Sequence, residues 1–406
     1  MSHYVEELRE IYISLLRCIN CRVCSVGGRT KKYTGIGCPM YSRFKFLSHS
    51  PTGIILSARN LVEGIIRPSP ELMEILSYCT ACGYCVEGCW NILMLAARPL
   101  IDHVKILELL RAVCVEAGAL KISALVKTLD YMRKYGNPFG VSRKDERLMW
   151  MRDLGFRIKL LPKQKASILL YMGSMYTLEP LLRDTCQSIV ELLDAVSVDF
   201  GILENERDDG LLALQVGERE LFREIAEENI EIFNDLGVEA IVTPDPHAYN
   251  AFKEYYPQVG KIEPKVLHIT EYIEQLIKEG KIKLGEIREI VTYHDPCNLG
   301  RRAGIYEPPR NVINAIKGIE LREMERSKES AWCCGAGGGV VFAHPDFMNW
   351  VAQQRIKEAE LTGASTLVTA CPWCEYSFKQ AIETMRSPLK IKNIVELAKE
   401  AHLKTG

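Results

Sequence analysis

The stretch C-C-G-A-G-G-G, residues 333–339, places two adjacent thiols directly before a run rich in glycine. On its two sides, 35 residues separate it from Cys297, and 36 residues separate Cys334 from the C-P-W-C motif of Cys371 and Cys374. These five thiols exceed the four ligands that a structural zinc ion takes. Soft thiolates suit iron–sulfide cores, so the pattern favours an iron–sulfur cluster and predicts a redox protein.

A second concentration of cysteines lies near the N-terminus, in two runs of three closely spaced thiols with one further thiol after each. In bacterial two-cluster ferredoxins the fourth cysteine of such a run ligates the other cluster. This pattern assigns one [4Fe–4S] cubane to Cys18, Cys21, Cys24 and Cys89. It assigns a second cubane to Cys79, Cys82, Cys85 and Cys38. Two zinc sites, or one cluster with spare thiols, are the alternatives.

Two departures from the ferredoxin pattern stand out. Residues 25–37 separate Cys24 from Cys38, where about three residues are usual, and Trp90 replaces the usual proline after Cys89. We expect the insert to form a surface loop. Cys114 and Cys186 lie outside every run, in apolar surroundings, and are interpreted as buried hydrophobic residues.

The predicted secondary structure changes after about residue 155. The first part is predicted to be helical, including a helix over residues 105–117 with apolar residues at helical spacing. From residue 165, short apolar runs alternate with helical stretches, which predicts α/β structure with a largely parallel sheet. The expected strands and helices are 167–171, 240–243, 290–293 and 366–369, and 217–236, 305–316 and 346–361.

The second part of the chain also repeats internally. Residues 236–249 align with residues 362–376, and Asp208-Asp209-Gly210 falls where Cys333-Cys334-Gly335 falls. Repeats of this kind imply related structural units. The predicted fold class is therefore α+β, with a helical ferredoxin-like domain at 1–155 and two related α/β lobes at 156–284 and 285–406.

The composition indicates which kinds of partner and which cellular compartment to expect. The 406-residue chain has a net charge of −1, and no nucleic-acid partner is expected. Its first seventy residues carry ten Lys or Arg against four Glu, which suits an acidic partner or an anionic membrane, although a solvated basic face is the simpler interpretation. Fifteen cysteines, with no signal peptide at the start and no apolar span, predict a cytoplasmic protein. Peripheral membrane association through a partner remains open.

On these residues, the chain resembles the family of the heterodisulfide reductase D subunit and its DsrK-like relatives. The motifs that carry the resemblance are H-D-P-C (294–297), C-C-G-A-G-G-G (333–339) and C-P-W-C (371–374). The family combines a two-cluster ferredoxin module with two cysteine-rich CCG domains. The resemblance implies that Cys297, Cys333, Cys334, Cys371 and Cys374 bind a noncubane [4Fe–4S] cluster at the catalytic site.

The first CCG lobe departs from this pattern, because it has Ser174, Asp208, Asp209, Asp245 and Ala248 where ligands would lie. Hard oxygen ligands suit an iron–sulfide core poorly. We therefore expect this lobe to bind no cluster and to be structural, with a hard cation or zinc as the alternative.

Residues beside the ligand motifs have two interpretations each. His294 and Asp295 relay a proton or form a structural turn. Arg301 and Arg302 neutralise the cluster or hold an anionic thiol substrate, or they form a solvated, charged helix start. The aromatic residues near C-P-W-C, Trp373 and Tyr376, are expected to shield the cluster from water.

The resemblance implies an iron–sulfur oxidoreductase subunit that reduces a disulfide or a sulfur-carrier thiol and exchanges electrons with a haem-b membrane protein or a flavoprotein. Two alternatives remain. The chain is an electron-transfer subunit of a flavin-dependent glycolate, lactate or glycerol-3-phosphate dehydrogenase, or it is a zinc-binding scaffold without enzymatic activity.

Overall fold

A computed structural model of the chain describes residues 3–26, 37–89, 101–141, 147–152 and 154–404. Residues 27–36, most of the insert that is predicted to form a surface loop, lie outside the described residues, and so do residues 90–100, which include Trp90. The chain divides into two compact units. Unit 1 contains Met1–Lys127, Leu212–Glu220 and Glu325–Arg355, and unit 2 contains Thr128–Leu211, Leu221–Met324 and Ile356–Gly406. The domain limits expected at residues 155 and 284 stay predictions.

In the described residues, unit 1 consists of helices joined by loops and turns. Its helices are His3–Glu10, Tyr12–Leu16, Val23–Val26, Pro39–Phe44, Pro51–Val62, Pro70–Ser77, Tyr84–Glu87, His103–Glu116 and Val340–Ala343, with short 3-10 turns at Leu47–His49 and Lys328–Ser330.

Side-chain caps explain where several of these helices begin. Ser50 and Ser69 each precede a proline and accept a hydrogen bond from a backbone N–H in the first helical turn. Asp102 caps the next long helix by accepting from two backbone N–H groups, at 3.0 and 3.1 Å. A capping side chain with proline at the first helical position is a strong start signal.

The centre of unit 1 is the helix His103–Glu116. The helix predicted at 105–117 is therefore present, but it is buried on nearly every side and not on one face alone. Arg111 and Cys114 are 1% and 0% exposed, so a charged side chain lies inside this core. Cys114 is buried as predicted, and so is Cys186 of unit 2.

Unit 2 contains two parallel sheets. Their strands are β1 Lys159–Leu161, β2 Ile168–Leu170, β3 Phe200–Leu203, β4 Ala240–Thr243, β5 Lys265–His268, β6 Glu286–Tyr293, β7 Lys317–Leu321, β8 Thr366–Thr369 and β9 Lys390–Asn393. The first sheet has the order β1-β3-β2-β4-β5, and the second has the order β7-β6-β8-β9. Every strand pairing within the two sheets is parallel.

Helices follow the strands, as parallel connections require. Those within unit 2 are Gly173–Leu178, Arg183–Ala195, Pro246–Asn250, Ile269–Lys278, Glu307–Asn314, Pro372–Met385 and Ile394–Leu403. Two short π-helices lie at Ala251–Tyr255 and Asn298–Arg302, and 3-10 turns lie at Met149–Met151, Pro180–Leu182 and Tyr256–Gln258. The limits between the two units fall within or beside the helices Ser123–Tyr135, Leu211–Val216, Arg219–Asp235 and Pro345–Glu360. In the described part of the chain, no helix is long and apolar enough to cross a membrane.

The sheets confirm the internal repeat and the α+β fold class. Without β1, the order β3-β2-β4-β5 matches β7-β6-β8-β9 strand for strand. All four strands expected from apolar runs are present, as β2, β4, β6 and β8. The sequence analysis did not predict β1, β3, β5, β7 and β9. Most residues of β7 and β9 are partly or fully exposed, so these strands lack a continuous apolar run. The strand β3 is buried throughout and was missed despite its apolar residues.

The repeat extends to the helix that follows the last strand of each lobe. His268 caps Ile269–Lys278 and Asn393 caps Ile394–Leu403, and each forms a reciprocal capping box with a glutamate three residues later. Asn is a favoured capping residue, whereas His titrates. Burial lowers the pKa of His268 to about 3, because the protonated ring would lose its hydration.

This difference predicts how acid destabilises the protein. The unfolded chain binds a proton at His268 below about pH 6.5, while the folded chain stays neutral there until about pH 3. Stability is therefore lost as the pH falls through this window, by up to about 1.4 kcal/mol per pH unit. The substitution His268→Asn, which reproduces the cap of the other lobe, should reduce the loss by about 2 kcal/mol at pH 5.

The measurement is the urea-unfolding midpoint, followed by circular dichroism at pH 7.5 and pH 5. The wild-type midpoint should fall more steeply than that of the Asn variant, and the two should be similar at pH 7.5. Equal acid sensitivity of both proteins would contradict the assignment of this effect to His268.

Candidate metal centres

The first four-cysteine group lies at one cavity of unit 1. Cys18, Cys21, Cys24 and Cys89 line this cavity together with Thr52 and His103, among others. Cys21 is exposed, whereas Cys24 and Cys89 are buried. The sulfur of Cys24 lies 3.7 Å from the Thr52 hydroxyl. The four thiols that the ferredoxin pattern assigned to one cubane are thus neighbours in the structure.

The second four-cysteine group lines another cavity of the same unit. Cys38, Cys79, Cys82 and Cys85 lie there, surrounded by apolar side chains that include Met40, Ile54 and Leu107. Cys38 immediately precedes the helix Pro39–Phe44, and the other three thiols belong to the loop before and within the helix Tyr84–Glu87. This grouping again matches the sequence assignment, while iron ligation by the eight thiols remains a proposal.

The two cysteine loops share an unusual backbone conformation. Asn20 and Arg22 have positive φ angles of 56° and 60°, and Ala81 and Gly83, at the matching places in the second loop, have 51° and 74°. Non-glycine residues with positive φ are uncommon and concentrate at functional sites. Each loop therefore turns sharply twice between its three cysteines, which brings the sulfurs to one cavity.

The donor set fits iron–sulfur clusters. Burial raises the pKa of the Cys24 thiol to about 12 and raises those of Cys38 and Cys85 well above the usual range. Thiols in such surroundings stay protonated until a metal displaces the proton. Four soft sulfur ligands at one apolar cavity are the surroundings in which [4Fe–4S] clusters are held.

One side chain lines both cavities. His103, at the start of the long helix, is 4% exposed, and its Nδ1 lies 3.3 Å from the Ile101 carbonyl oxygen. Burial lowers its pKa to about 4, so the ring is neutral at physiological pH. Sequence analysis missed His103. It lies after the last of the eight cysteines, and the residue pattern does not show that its side chain borders both cysteine groups.

Cys333 and Cys334 also belong to unit 1 and are 3% and 4% exposed. The sulfur of Cys333 lies 3.4 Å from the Thr80 hydroxyl, in the middle of the second ferredoxin-like loop. The backbone N–H of Gly335 donates a hydrogen bond to the same sulfur at 3.3 Å. The C-C-G loop is thus in direct contact with the loop that carries Cys79 and Cys82.

The glycines after Cys334 make this contact sterically feasible. A methyl group added at Gly337 would lie 2.5 Å from the Thr80 carbonyl oxygen, and one at Gly338 would clash with the Cys79 carbonyl oxygen. Gly338 also has a φ of +63°. Glycine therefore allows the backbone of this segment to approach the loop around Cys79 closely.

A buried arginine joins the two loops. Arg111 donates hydrogen bonds to the carbonyl oxygens of Leu76, Cys79, Gln215 and Gly338, at 2.6, 2.8, 2.6 and 3.0 Å. The Gln215 side chain accepts a further bond from the Gly338 N–H at 3.1 Å. Arg111 is the one charged residue in the apolar segment 109–115 of this helix, and this was the sequence signal that could have identified it.

The remaining three cysteines of the C-terminal motif belong to unit 2. Cys297 follows β6, and Cys371 follows β8, which pairs with β6 in parallel register. The carboxyl ends of neighbouring parallel strands lie at one edge of a sheet, where ligands commonly bind in α/β folds. Cys371 and Cys374 begin the helix Pro372–Met385 and are each 2% exposed, while Cys297 is half-buried.

In the first lobe, hydrogen-bonded polar groups occupy the positions that correspond to thiols. The Ser174 hydroxyl donates to Asp208 at 2.7 Å, and Arg147 donates to Ser174 and Glu206 at 2.9 and 2.6 Å. Asp245 caps the helix Pro246–Asn250 and accepts from the Trp373 indole at 3.1 Å. Within the described residues, no three His, Cys, Asp or Glu side chains are spaced to hold a single metal ion.

Burial sets the charge state of this acidic network. It raises the pKa of Asp245 to about 7 and that of Asp209 well above the usual range. Burial disfavours the charged form of a carboxyl group, so these groups retain their protons to a higher pH than usual. Asp245 links the first lobe to Trp373 of the C-P-W-C motif, and the Trp373 indole ring also stacks on His247 at 5.0 Å.

The Asp295 side chain has a structural partner. Arg310 donates to both of its carboxylate oxygens, at 2.7 and 3.0 Å, and both residues are buried. Arg310 also contacts Glu323, and this pairing raises the pKa of the Arg310 guanidinium. These contacts favour the turn-forming interpretation of Asp295. The neighbouring His294 packs edge-on against Phe378 at 4.8 Å.

Comparisons with known proteins agree with this architecture. The chain matches the 4Fe-4S dicluster domain over residues 14–98 and the cysteine-rich CCG domain over residues 178–253 and 291–379. The D subunit of the dihydromethanophenazine:CoB–CoM heterodisulfide reductase of Methanosarcina acetivorans is 32% identical over 344 residues, which cover 82% of this chain and 80% of that protein.

Two longer relatives are similar to the same extent. The "Probable iron-sulfur-binding oxidoreductase FadF" of Bacillus subtilis is 34% identical over 80% of this chain, and the EtfAB:quinone oxidoreductase of Syntrophomonas wolfei is 33% identical over 74%. The matched region spans 46% and 42% of these relatives. A solved Helicobacter pylori protein shares the fold, with a TM-score of 0.52 at 11% identity over 98% of this chain and 76% of that one.

The two four-cysteine groups should be separable by substitution. Cys21→Ala should remove the first cluster and Cys82→Ala the second, with a loss of about four iron atoms in each case, because each cubane needs its four thiolates. Iron and sulfide analysis of anaerobically purified protein, with electron paramagnetic resonance of the reduced state, measures the loss.

The matched control is Cys114→Ala, which changes a buried thiol of the same unit outside both groups. Its iron content should equal that of the wild type. An unchanged iron content in Cys82→Ala, or a loss in the control, would refute the grouping.

Proposed function

Since the chain belongs to the family of the heterodisulfide reductase D subunit, an iron–sulfur electron-transfer oxidoreductase family, we propose that it passes electrons through two [4Fe–4S] cubanes to a third, noncubane cluster. Cys297, Cys333, Cys334, Cys371 and Cys374 hold the third cluster in this proposal. There the S–S bond of a disulfide, or of the sulfur held on a sulfur-carrier thiol, would be cleaved by two electrons and two protons to give thiols, or the reverse reaction would run. The clusters supply one-electron transfer and, at the five-cysteine set, iron to which a substrate sulfur can bind.

The observation that carries this proposal is the chain of direct neighbours in unit 1. The first and second cysteine groups share the side chain of His103. The second group in turn contacts the C-C-G motif through Thr80, at 3.4 Å from the Cys333 sulfur. Electron transfer weakens steeply with distance, so groups separated by one side chain are suited to a relay.

The protein residues exclude water and hold the thiols in place. Cys333, Cys334, Cys371 and Cys374 are 2–4% exposed, which keeps the ligating sulfurs in a low-dielectric environment. Cys297 is the more accessible of the five. Hydrogen bonds such as that from the Gly335 N–H to the Cys333 sulfur would stabilise charge on a buried thiolate.

A second candidate function follows from the longer relatives. FadF and the EtfAB:quinone oxidoreductase are named as oxidoreductases, and the matched region is 46% and 42% of their lengths, so a region like this chain is one part of each. In this second candidate, which the family resemblance implies, the chain is an electron-conducting subunit of a flavin-dependent glycolate, lactate or glycerol-3-phosphate dehydrogenase, without a substrate site of its own. The partner would then be a flavoprotein and not a haem-b membrane protein.

Either function requires a redox partner, and we propose a cytoplasmic protein that associates with the membrane only through that partner. Anaerobic purification of the chain from its native source, with identification of the subunits that co-purify, separates the two functions. A haem-b membrane subunit or a sulfur-carrier protein supports thiol chemistry, whereas a flavin-dependent dehydrogenase supports the electron-conducting role.

The third cluster should depend on the C-terminal cysteines alone. Cys333→Ser and Cys374→Ser should each lower the iron content from about twelve to about eight atoms and leave the signals of both cubanes intact, because the cubane thiols are a separate set. Cys186→Ala, a buried thiol of unit 2 outside all three sets, is the control and should keep all of the iron.

Oxidative titration of the wild type with a small thiol tests the substrate site. A new paramagnetic state should form with added thiol and be absent from Cys374→Ser. A wild-type protein that gives no such state would favour the electron-conducting role, and one with zinc in place of iron would refute both functions.

A further inference from the structure

The contact between the second cysteine loop and the C-C-G loop involves one polar side chain. Thr80 directly follows Cys79, and its hydroxyl oxygen lies 3.4 Å from the Cys333 sulfur. Thr80 is 4% exposed, so no bulk water competes for this hydroxyl. One residue thus continues the backbone of a proposed cubane ligand and touches a proposed ligand of the third cluster.

We propose that Thr80 is a positioning residue that couples the second cubane to the third cluster and raises the reduction potential of the third. This inference rests on the proposed function. In the structure the Cys333 thiol donates to the Thr80 hydroxyl oxygen. A metal-bound Cys333 would be a thiolate, which can only accept a hydrogen bond, so the direction would reverse and the Thr80 hydroxyl would donate. A donor to a ligating sulfur withdraws charge from the cluster and favours its reduced state.

The surrounding backbone fixes Thr80 in this position. Gly337 and Gly338 approach the carbonyl groups of Thr80 and Cys79 so closely that no side chain fits between them. Arg111 donates to the Cys79 and Gly338 carbonyl oxygens, at 2.8 and 3.0 Å, and therefore ties the two loops to each other. The hydroxyl is consequently held near Cys333 by backbone contacts on both sides of it.

The Arg111 guanidinium has a second effect on the same loop. Its positive charge is buried and lies beside this proposed ligand, since the guanidinium donates to the Cys79 carbonyl oxygen at 2.8 Å. A buried cation that stabilises a thiolate also stabilises the more negative, reduced state of a cluster bound there. Arg111 thus aligns the loops and supports the reduced second cubane.

The test compares Thr80→Val, which removes the hydroxyl at nearly constant shape, with Thr80→Ser, which keeps it. Anaerobic redox titrations of the full chain, followed by electron paramagnetic resonance, measure the fraction of each cluster that is reduced. At a fixed solution potential, Thr80→Val should lower the ratio of reduced to oxidised third cluster by about tenfold, the effect of one hydrogen bond to a charged group. Thr80→Ser should titrate like the wild type, and the first cubane should be unchanged in both variants.

A third variant tests the alignment. Arg111→Lys keeps the positive charge but cannot donate to four carbonyl groups in a fixed geometry. It should weaken the magnetic interaction between the second cubane and the third cluster and shift the third cluster in the direction of Thr80→Val. An unchanged titration of the third cluster in Thr80→Val, or an equal shift in Thr80→Ser, would overturn the inference.

The failures are distinguishable because iron analysis precedes the titration. A wild type with about twelve iron atoms and an unresponsive Thr80→Val variant would refute the role of Thr80 and leave the proposed function standing. A wild type with only about eight iron atoms would refute the proposed function and, with it, the role of Thr80.

Discussion

Four hydrogen bonds from the Arg111 guanidinium hold unit 1 together. They join the helix Pro70–Ser77, the residues after it, the segment around Gln215 and the glycine-rich loop at Gly338, which are distant in sequence. Burying a cation is costly, and carbonyl oxygens that accept from it offset the cost. Because two of those carbonyl groups, at Cys79 and Gly338, belong to loops that carry cysteines, this side chain helps to fix the arrangement of the thiols.

The two lobes of unit 2 show how one fold can carry different chemistry. Both have the same strand order and the same capped final helix. In one lobe, cysteines follow β6 and β8, whereas in the other, Ser174 and Asp245 take part in a buried hydrogen-bond network after β2 and β4. These hydrogen bonds provide partners for the buried polar groups, so this lobe keeps its shape with polar residues in place of thiols.

Asp245, after β4, also contacts the cysteine-bearing lobe. It accepts a hydrogen bond from the indole of Trp373, which lies between Cys371 and Cys374 in the sequence. The first lobe therefore fixes an aromatic side chain inside the C-P-W-C motif. The indole nitrogen donates to the Asp245 carboxyl group, and the His247 ring stacks on the indole ring. These contacts support the expectation that Trp373 excludes water there.

The grouping of the N-terminal cysteines, the central strands and the repeat could all be predicted from the amino-acid sequence, because local spacing and apolar runs encode them directly. The exposed outer strands β7 and β9 left no such pattern. Three roles became visible only in the folded chain: His103 borders both cavities, Thr80 reaches Cys333, and Arg111 ties the two loops. These roles arise from contacts between residues up to 253 positions apart, and such contacts depend on packing, which no local pattern of residue types records.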